Sequence, residues 1–244
     1  MGASPIAVID SSGGESSFSG SLGLDYNSHF ISYGADVWGA GSDVDDVLFN
    51  PSVELTWDLG AGTTFSLGTW WDVNDNADSD IGDSIQEVDV WAGLGWSMGG
   101  VDMSLTYQSW LYASDNEQIV DLGLGFDAVF APSLTVHGRV AEGASGGDTG
   151  VVVVGGIDLL AAEAISFGDF SLGIPVNVAY ASDGFHGGDS GFAYASIGLS
   201  ASAPLGGGWD IHGGATYYYT NDSVIPNNAS DSFVTLSAGL GFSF

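Results

Sequence analysis

Cysteine is absent, and one basic side chain, Arg139, stands against 31 acidic ones in 244 residues. The first absence removes disulfides and thiol chemistry without fixing a compartment. The second gives a formal net charge of −30, which repels nucleic acid and anionic surfaces and excludes them as simple partners. Long apolar runs are missing as well. Acidic residues interrupt every candidate before the ~18 residues a membrane helix needs, so any membrane role must use strands. The opening stretch, MGASPIAVIDSSGGES, lacks the basic start and apolar run of an intact secretory signal, which reads as a mature or re-started form. Segment 1–16 is therefore expected to be a flexible lead-in, with one folded unit over 17–244. A chain this acidic is often disordered. Here 45% of the residues are hydrophobic and aromatics are plentiful (8 Trp, 9 Tyr, 13 Phe), which argues for a folded, β-rich protein.

The clearest pattern is the C-terminal stretch SFVTLSAGLGFSF. Val234, Leu236, Ala238, Leu240, Phe242 and Phe244 alternate with Thr235, Ser237, Gly239, Gly241 and Ser243. A period of two makes a strand whose faces meet different solvents. The large residues form one apolar stripe, and the small polar ones suit a narrow, wet interior. The pattern recurs over about 18–26, 49–58, 65–73, 86–96, 101–111, 120–130, 134–140, 151–160, 170–180, 193–203 and 209–219, with 151–160 the least regular. Short turns are expected near Gly60, Gly99, Pro132, Ala164 and Gly206, and long loops near 28–46, 74–84, 112–118, 141–150, 181–191 and 220–231. Alternating short and long connections between about twelve strands fit an all-β fold: a single antiparallel up-and-down transmembrane β-barrel. Trp57, Trp96, Phe130, Trp209 and Phe244 fall at the short-turn ends of the apolar stripes. Tyr26, Trp71, Tyr180, Tyr217 and Tyr219 fall at the long-loop ends, so that two aromatic girdles flank an aliphatic band.

From Leu22-Gly23-Leu24-Asp25-Tyr26 to the Phe-ending last strand, the pattern resembles Gram-negative outer-membrane porins, most of all the TorF-like porins of about this length. The resemblance covers almost the whole chain. It implies a place in the outer membrane, short periplasmic turns, longer extracellular loops, passive passage of solutes and no assigned catalytic residues. The implied partners are outer-membrane lipid and small solutes or cations, with homo-oligomer formation left open.

The inward phase of the alternation assigns Asp25, Glu54, Asp58, Glu87, Asp89, Asp102, Asp121, Asp127, His137, Arg139, Asp158, Asp210 and His212 to the pore lining. Pairing across the Pro132 turn, with 130 opposite 134, predicts a wall cluster of Asp127, His137 and Arg139. So many acids against one base predict cation preference, because they concentrate cations and exclude anions. Inward Trp70, Trp91, Trp110, Tyr194 and Tyr218 either stack on sugars or pack against an inward-folded loop, and the second is the stronger expectation. In the loops, Asp43, Asp45 and Asp46 form one acidic run. Asp72, Asp75, Asp78 and Asp80 form another, and these four could offer oxygen ligands to calcium, although their spacing is not that of an EF-hand. No cofactor is required. The alternative function is a barrel of little or no conductance that presents acidic loops to a partner.

Catalytic readings are weak. Gly188-Asp189-Ser190-Gly191, with His186 nearby, matches a protease nucleophile tetrapeptide, but a triad is defined by geometry and not by four residues in a Gly-rich loop. His29, His137, His186 and His212 do not supply the His and Ser two apart that outer-membrane phospholipases carry on a strand face. No enzyme activity is expected.

Overall fold

Alternating large apolar and small polar residues cannot bury both faces of a sheet in one medium. The sheet escapes the problem by closing on itself. A computed structural model describes residues 18–38, 47–112, 115–141, 148–161 and 170–244. Segment 1–16, the acids Asp43, Asp45 and Asp46, and the turn expected near Ala164 lie outside the described residues.

The strands are β1 (Phe18–Asn27), β2 (Ile31–Ser32), β3 (Ala35–Asp36), β4 (Leu48–Gly60), β5 (Thr63–Val73), β6 (Ile85–Met98), β7 (Val101–Tyr112), β8 (Asp115–Phe126), β9 (Ser133–Ala141), β10 (Gly150–Asp158), β11 (Ser171–Gly173), β12 (Pro175–Ala181), β13 (Gly191–Gly206), β14 (Trp209–Thr220) and β15 (Ser232–Ser243). All but β2 and β3 form one antiparallel ring, closed where β1 pairs with both β4 and β15. Strands β11 and β12 are two pieces of one wall strand, broken at Ile174 and both paired with β13, so the wall counts twelve strands. Closure pairs each wall strand on both sides except the short piece β11, which pairs with β13 alone among the described residues. The short β2–β3 hairpin stands apart as its own sheet.

Large side chains cover the outside. Val53, Leu67, Trp71, Leu105, Leu122, Val178, Leu199 and Leu236 are all exposed, and each alternates with an inward neighbour. At the short-turn end the rings of Phe18, Trp57, Phe65, Trp209, Phe242 and Phe244 touch in sequence around part of the rim. Tyr26 with Phe49 and Tyr219 with Phe192 do the same at the other end.

Two connections differ from expectation. Strands β7 and β8 stay paired up to Tyr112 and Asp115, so no long loop exists at 112–118. Strand β8 stops at Phe126, and 127–132 is a turn in which Phe130 and Ala131 take positive φ of 67° and 41°. The ring closes despite these exceptions because strand pairing, and not loop length, fixes it.

Candidate functional site

The inner wall begins with the strand that closes the ring. Strand β15 puts Ser237, Gly239 and Gly241 inward, and its neighbours use the vacated space. His212 on β14 reaches over Gly239 to Asp25 on β1, with Nε2 2.7 Å from Asp25 Oδ1 and Nδ1 2.9 Å from Asp210 Oδ1. A Cβ on Gly239 would collide with both Asp25 Oδ1 and His212 Nε2, and one on Gly241 would collide with Asp210. Glycine is needed at both places so that polar side chains can cross the strand. Beside this group lies a cavity of about 400 Å³ whose lining includes Asp158, Ser200, Ser202, His212, Thr216 and Ser237.

Elsewhere on the wall Glu54 accepts a hydrogen bond from Trp91 Nε1 (2.8 Å), and that indole lies over Gly68. Asp58, Asp102 and Asp158 are tied to local turn structure. Asp58 accepts from the Gly60 N–H, Asp102 from the Ser97 hydroxyl, and Asp158 from the Leu160 and Ile174 N–H groups. Glu87 and Asp89 are buried, with Tyr112 donating to Glu87 at 3.2 Å.

The expected Asp127–His137–Arg139 cluster does not form. The β8–β9 register places Asp121 opposite His137 and Ile119 opposite Arg139, because the turn takes up residues 127–132 instead of Pro132 and its immediate neighbours. Asp127 sits in that turn and donates its N–H to Gly100 O. The partner of His137 is Asp121, whose Oδ1 is 2.6 Å from Nδ1. The partner of Arg139 is Glu117, with Nε 2.8 Å from Oε2 and both side chains buried. Glu117 was expected in a loop. Its odd-numbered phase with Asp121 was the available signal, masked by polar Asn116 and Gln118 on the outer face.

At the long-loop end the interior is occupied by the chain's own loops. Residues 28–38 leave β1 with Ser28 bonded to Leu236 of β15 and cross to the far wall. Phe30 packs on Trp70 of β5, and Trp38 donates to Asp72 at 2.9 Å. Tyr33 stacks on His137 of β9, with centroids 3.7 Å apart, and its hydroxyl donates to Asp121. Gly34 lies so close to Tyr194 of β13 that a Cβ would strike the ring, and its φ of +92° also favours glycine. Burial pushes the Tyr33 hydroxyl further from ionisation, with Asp121 adding to it, and raises the Asp36 carboxyl to about 6. From the other side Phe185 enters under Arg139, whose guanidinium lies 4.2 Å from the ring and whose Nη1 donates to Phe185 O at 2.7 Å. Val224 and Ile225 complete a buried apolar cluster with Val152, Ala179, Ala181, Ala193 and Tyr194. Trp70, Trp110, Tyr194 and Tyr218 thus belong to the region where wall meets loop, while Trp91 belongs to the wall alone.

Asp72 does not join the loop acids. It is fully buried and accepts hydrogen bonds from Trp38, Asn50 and Asn74, whereas Asp75, Asp78 and Asp80 are exposed. Among the described residues no group of three or more acidic or histidine side chains is arranged to hold a metal ion. Among the described residues Ser190 and His186 show no mutual hydrogen bond, and buried His186 Nε2 has no hydrogen-bond partner.

No protein-family model matches the chain, and no curated protein matches it in sequence. Among solved structures, the KdgM porin superposes with a TM-score of 0.50 at 10% identity, covering 92% of this chain and 99% of that one. The NanC porin superposes at 0.51 and 10% identity, covering 91% and 98%. At such identity the likeness is one of fold and singles out no subfamily. The chain has a porin-like twelve-stranded antiparallel barrel, with loops seated in one end of its lumen.

Proposed function

We propose that the chain is an outer-membrane porin of a Gram-negative bacterium, through which small solutes diffuse passively and cations pass in preference to anions. The observation that carries this reading is the division of the wall: exposed apolar side chains outside, carboxylates inside, in a closed ring. The lone base does not offset the acids toward a passing ion, because Arg139 is committed to Glu117 and Phe185. Net negative lumen charge raises local cation concentration. The likeness in fold to the KdgM and NanC porins supports the porin class, and the sequence pattern supports the TorF-like porins as the nearest kind. On this reading the long-loop end is extracellular, and without Lys or Arg at the rim divalent cations bridge it to lipid phosphate.

One observation favours a second reading, a barrel of little conductance that presents acidic loops. Residues 28–38 touch β5, β8, β9 and β13, so the strap spans the lumen. Planar-bilayer recordings of the wild type and of a variant lacking residues 31–36 separate the two. Steps in both support the porin; steps only in the shortened variant support the second reading.

A further inference from the structure

His212 has a carboxylate at each ring nitrogen: Asp25 Oδ1 at Nε2 and Asp210 Oδ1 at Nδ1, 2.7 Å and 2.9 Å away. A neutral imidazole owns one N–H, so it can satisfy one of these contacts and must set a lone pair against the other carboxylate. The imidazolium donates to both. The side chains of the three residues are each roughly a third exposed, and His212 also lines the open cavity. The group therefore faces the water a solute would cross. Strand β15 contributes no side chain between them, only Gly239. Ser202 of β13 stands opposite His212 and is uncharged. The other charged residue lining the cavity is Asp158 of β10.

We propose that the Asp25–His212–Asp210 group is a proton-set selectivity element of the lumen. Protonated, it is held closed over β15 and carries one net negative charge. On loss of the ring proton it carries two, and one of the two contacts becomes repulsive. No bond is made or broken beyond that proton, which passes to solvent. Cation preference therefore rises with pH, and His212 contributes a step of its own beside that of the Asp36 carboxyl, which is raised to about 6. The claim about selectivity rests on the porin reading; the claim about the proton does not.

Two measurements test it on the full chain. The first is ¹⁵N NMR of ring-labelled histidine in detergent micelles near neutral pH, with His212 assigned through His212→Gln. The expected result is an imidazolium signature with both ring nitrogens protonated. A singly protonated His212 overturns the proposal, whatever the bilayer does. The second is the reversal potential in a KCl gradient between about pH 5 and pH 9, which brackets histidine titration. The wild-type cation-to-anion permeability ratio should rise roughly threefold, as one added charge within a few ångströms of the ion would give. In His212→Gln it should start higher and rise less over the same range. An equal rise in the variant overturns the proposal. A silent bilayer with an intact imidazolium signature counts against the porin reading and leaves the clamp standing.

Discussion

Tyr33 lies ring on ring against His137, with centroids 3.7 Å apart, and its hydroxyl donates to Asp121 on the same patch of wall. One tyrosine from the first long connection thus fastens that connection to the opposite side of the barrel. If the strap narrows the pore, releasing it should enlarge the conductance. Tyr33→Ala removes both ring and hydroxyl and is expected to raise single-channel conductance several-fold, because loss of a buried aromatic costs about 3–5 kcal/mol. Tyr33→Phe keeps the stack and should stay close to the wild type. Bilayer recordings of the two variants, side by side, check the order.

Arg139 and Glu117 form a buried ion pair. Removing the cation takes the ion-pair partner from a buried carboxylate, which costs about 3–5 kcal/mol. Arg139→Met should accordingly lower the temperature at which the barrel loses its compact band in heat-shifted electrophoresis. Adding Glu117→Gln should recover part of the loss, since the buried negative charge is then gone.

The loop that carries Phe185 should respond to acid through His186. Burial, followed by the nearby Arg139 and His137, lowers this imidazole from 6.5 to about 4. The undocked ring takes a proton near 6.5 and the docked one resists until about 4, so protons favour the undocked loop. Docking is fully supported above about 6.5 and weakens as pH falls towards 4. Amide exchange over residues 182–190 should show less protection near the acid end, and His186→Gln should flatten the dependence.

Space above Gly239 is a structural requirement. Gly239→Val drives a side chain into Asp25 and His212 and should destabilise the barrel by about 1–3 kcal/mol. Gly155→Ala, at a wall glycine with nothing within 4 Å of its would-be Cβ, should be tolerated. Folded yield in micelles compares the pair.

The barrel was legible because a closed sheet with an apolar outside and a polar inside imposes one contrast on every strand, and the alternation in β15 or β6 reports it directly. Where loops fill the lumen the contrast fails. Val151 and Val153 face outward while Val152 and Val154 face the loop cluster, so four valines in a row lose the alternation and the strand looks irregular. Ile119 is buried inside while Gln118 and Asn116 face out, which inverts the pattern and hides Glu117. Asp127 was misplaced for a different reason. Apolar Ala128 and Phe130 extend the β8 pattern into a turn whose shape depends on left-handed residues that no alternation reveals. Asp72 looked like a loop acid because Asp75, Asp78 and Asp80 follow it. Its burial depends on Trp38, which a local pattern cannot bring near.

The central claim is that carboxylates line a conducting lumen and select for cations. Purified protein in a planar bilayer under a KCl gradient tests it most directly. The account predicts stepwise currents whose reversal potential has the sign of potassium permeation. A reversal potential of chloride sign, or silence of the wild-type protein, would contradict it.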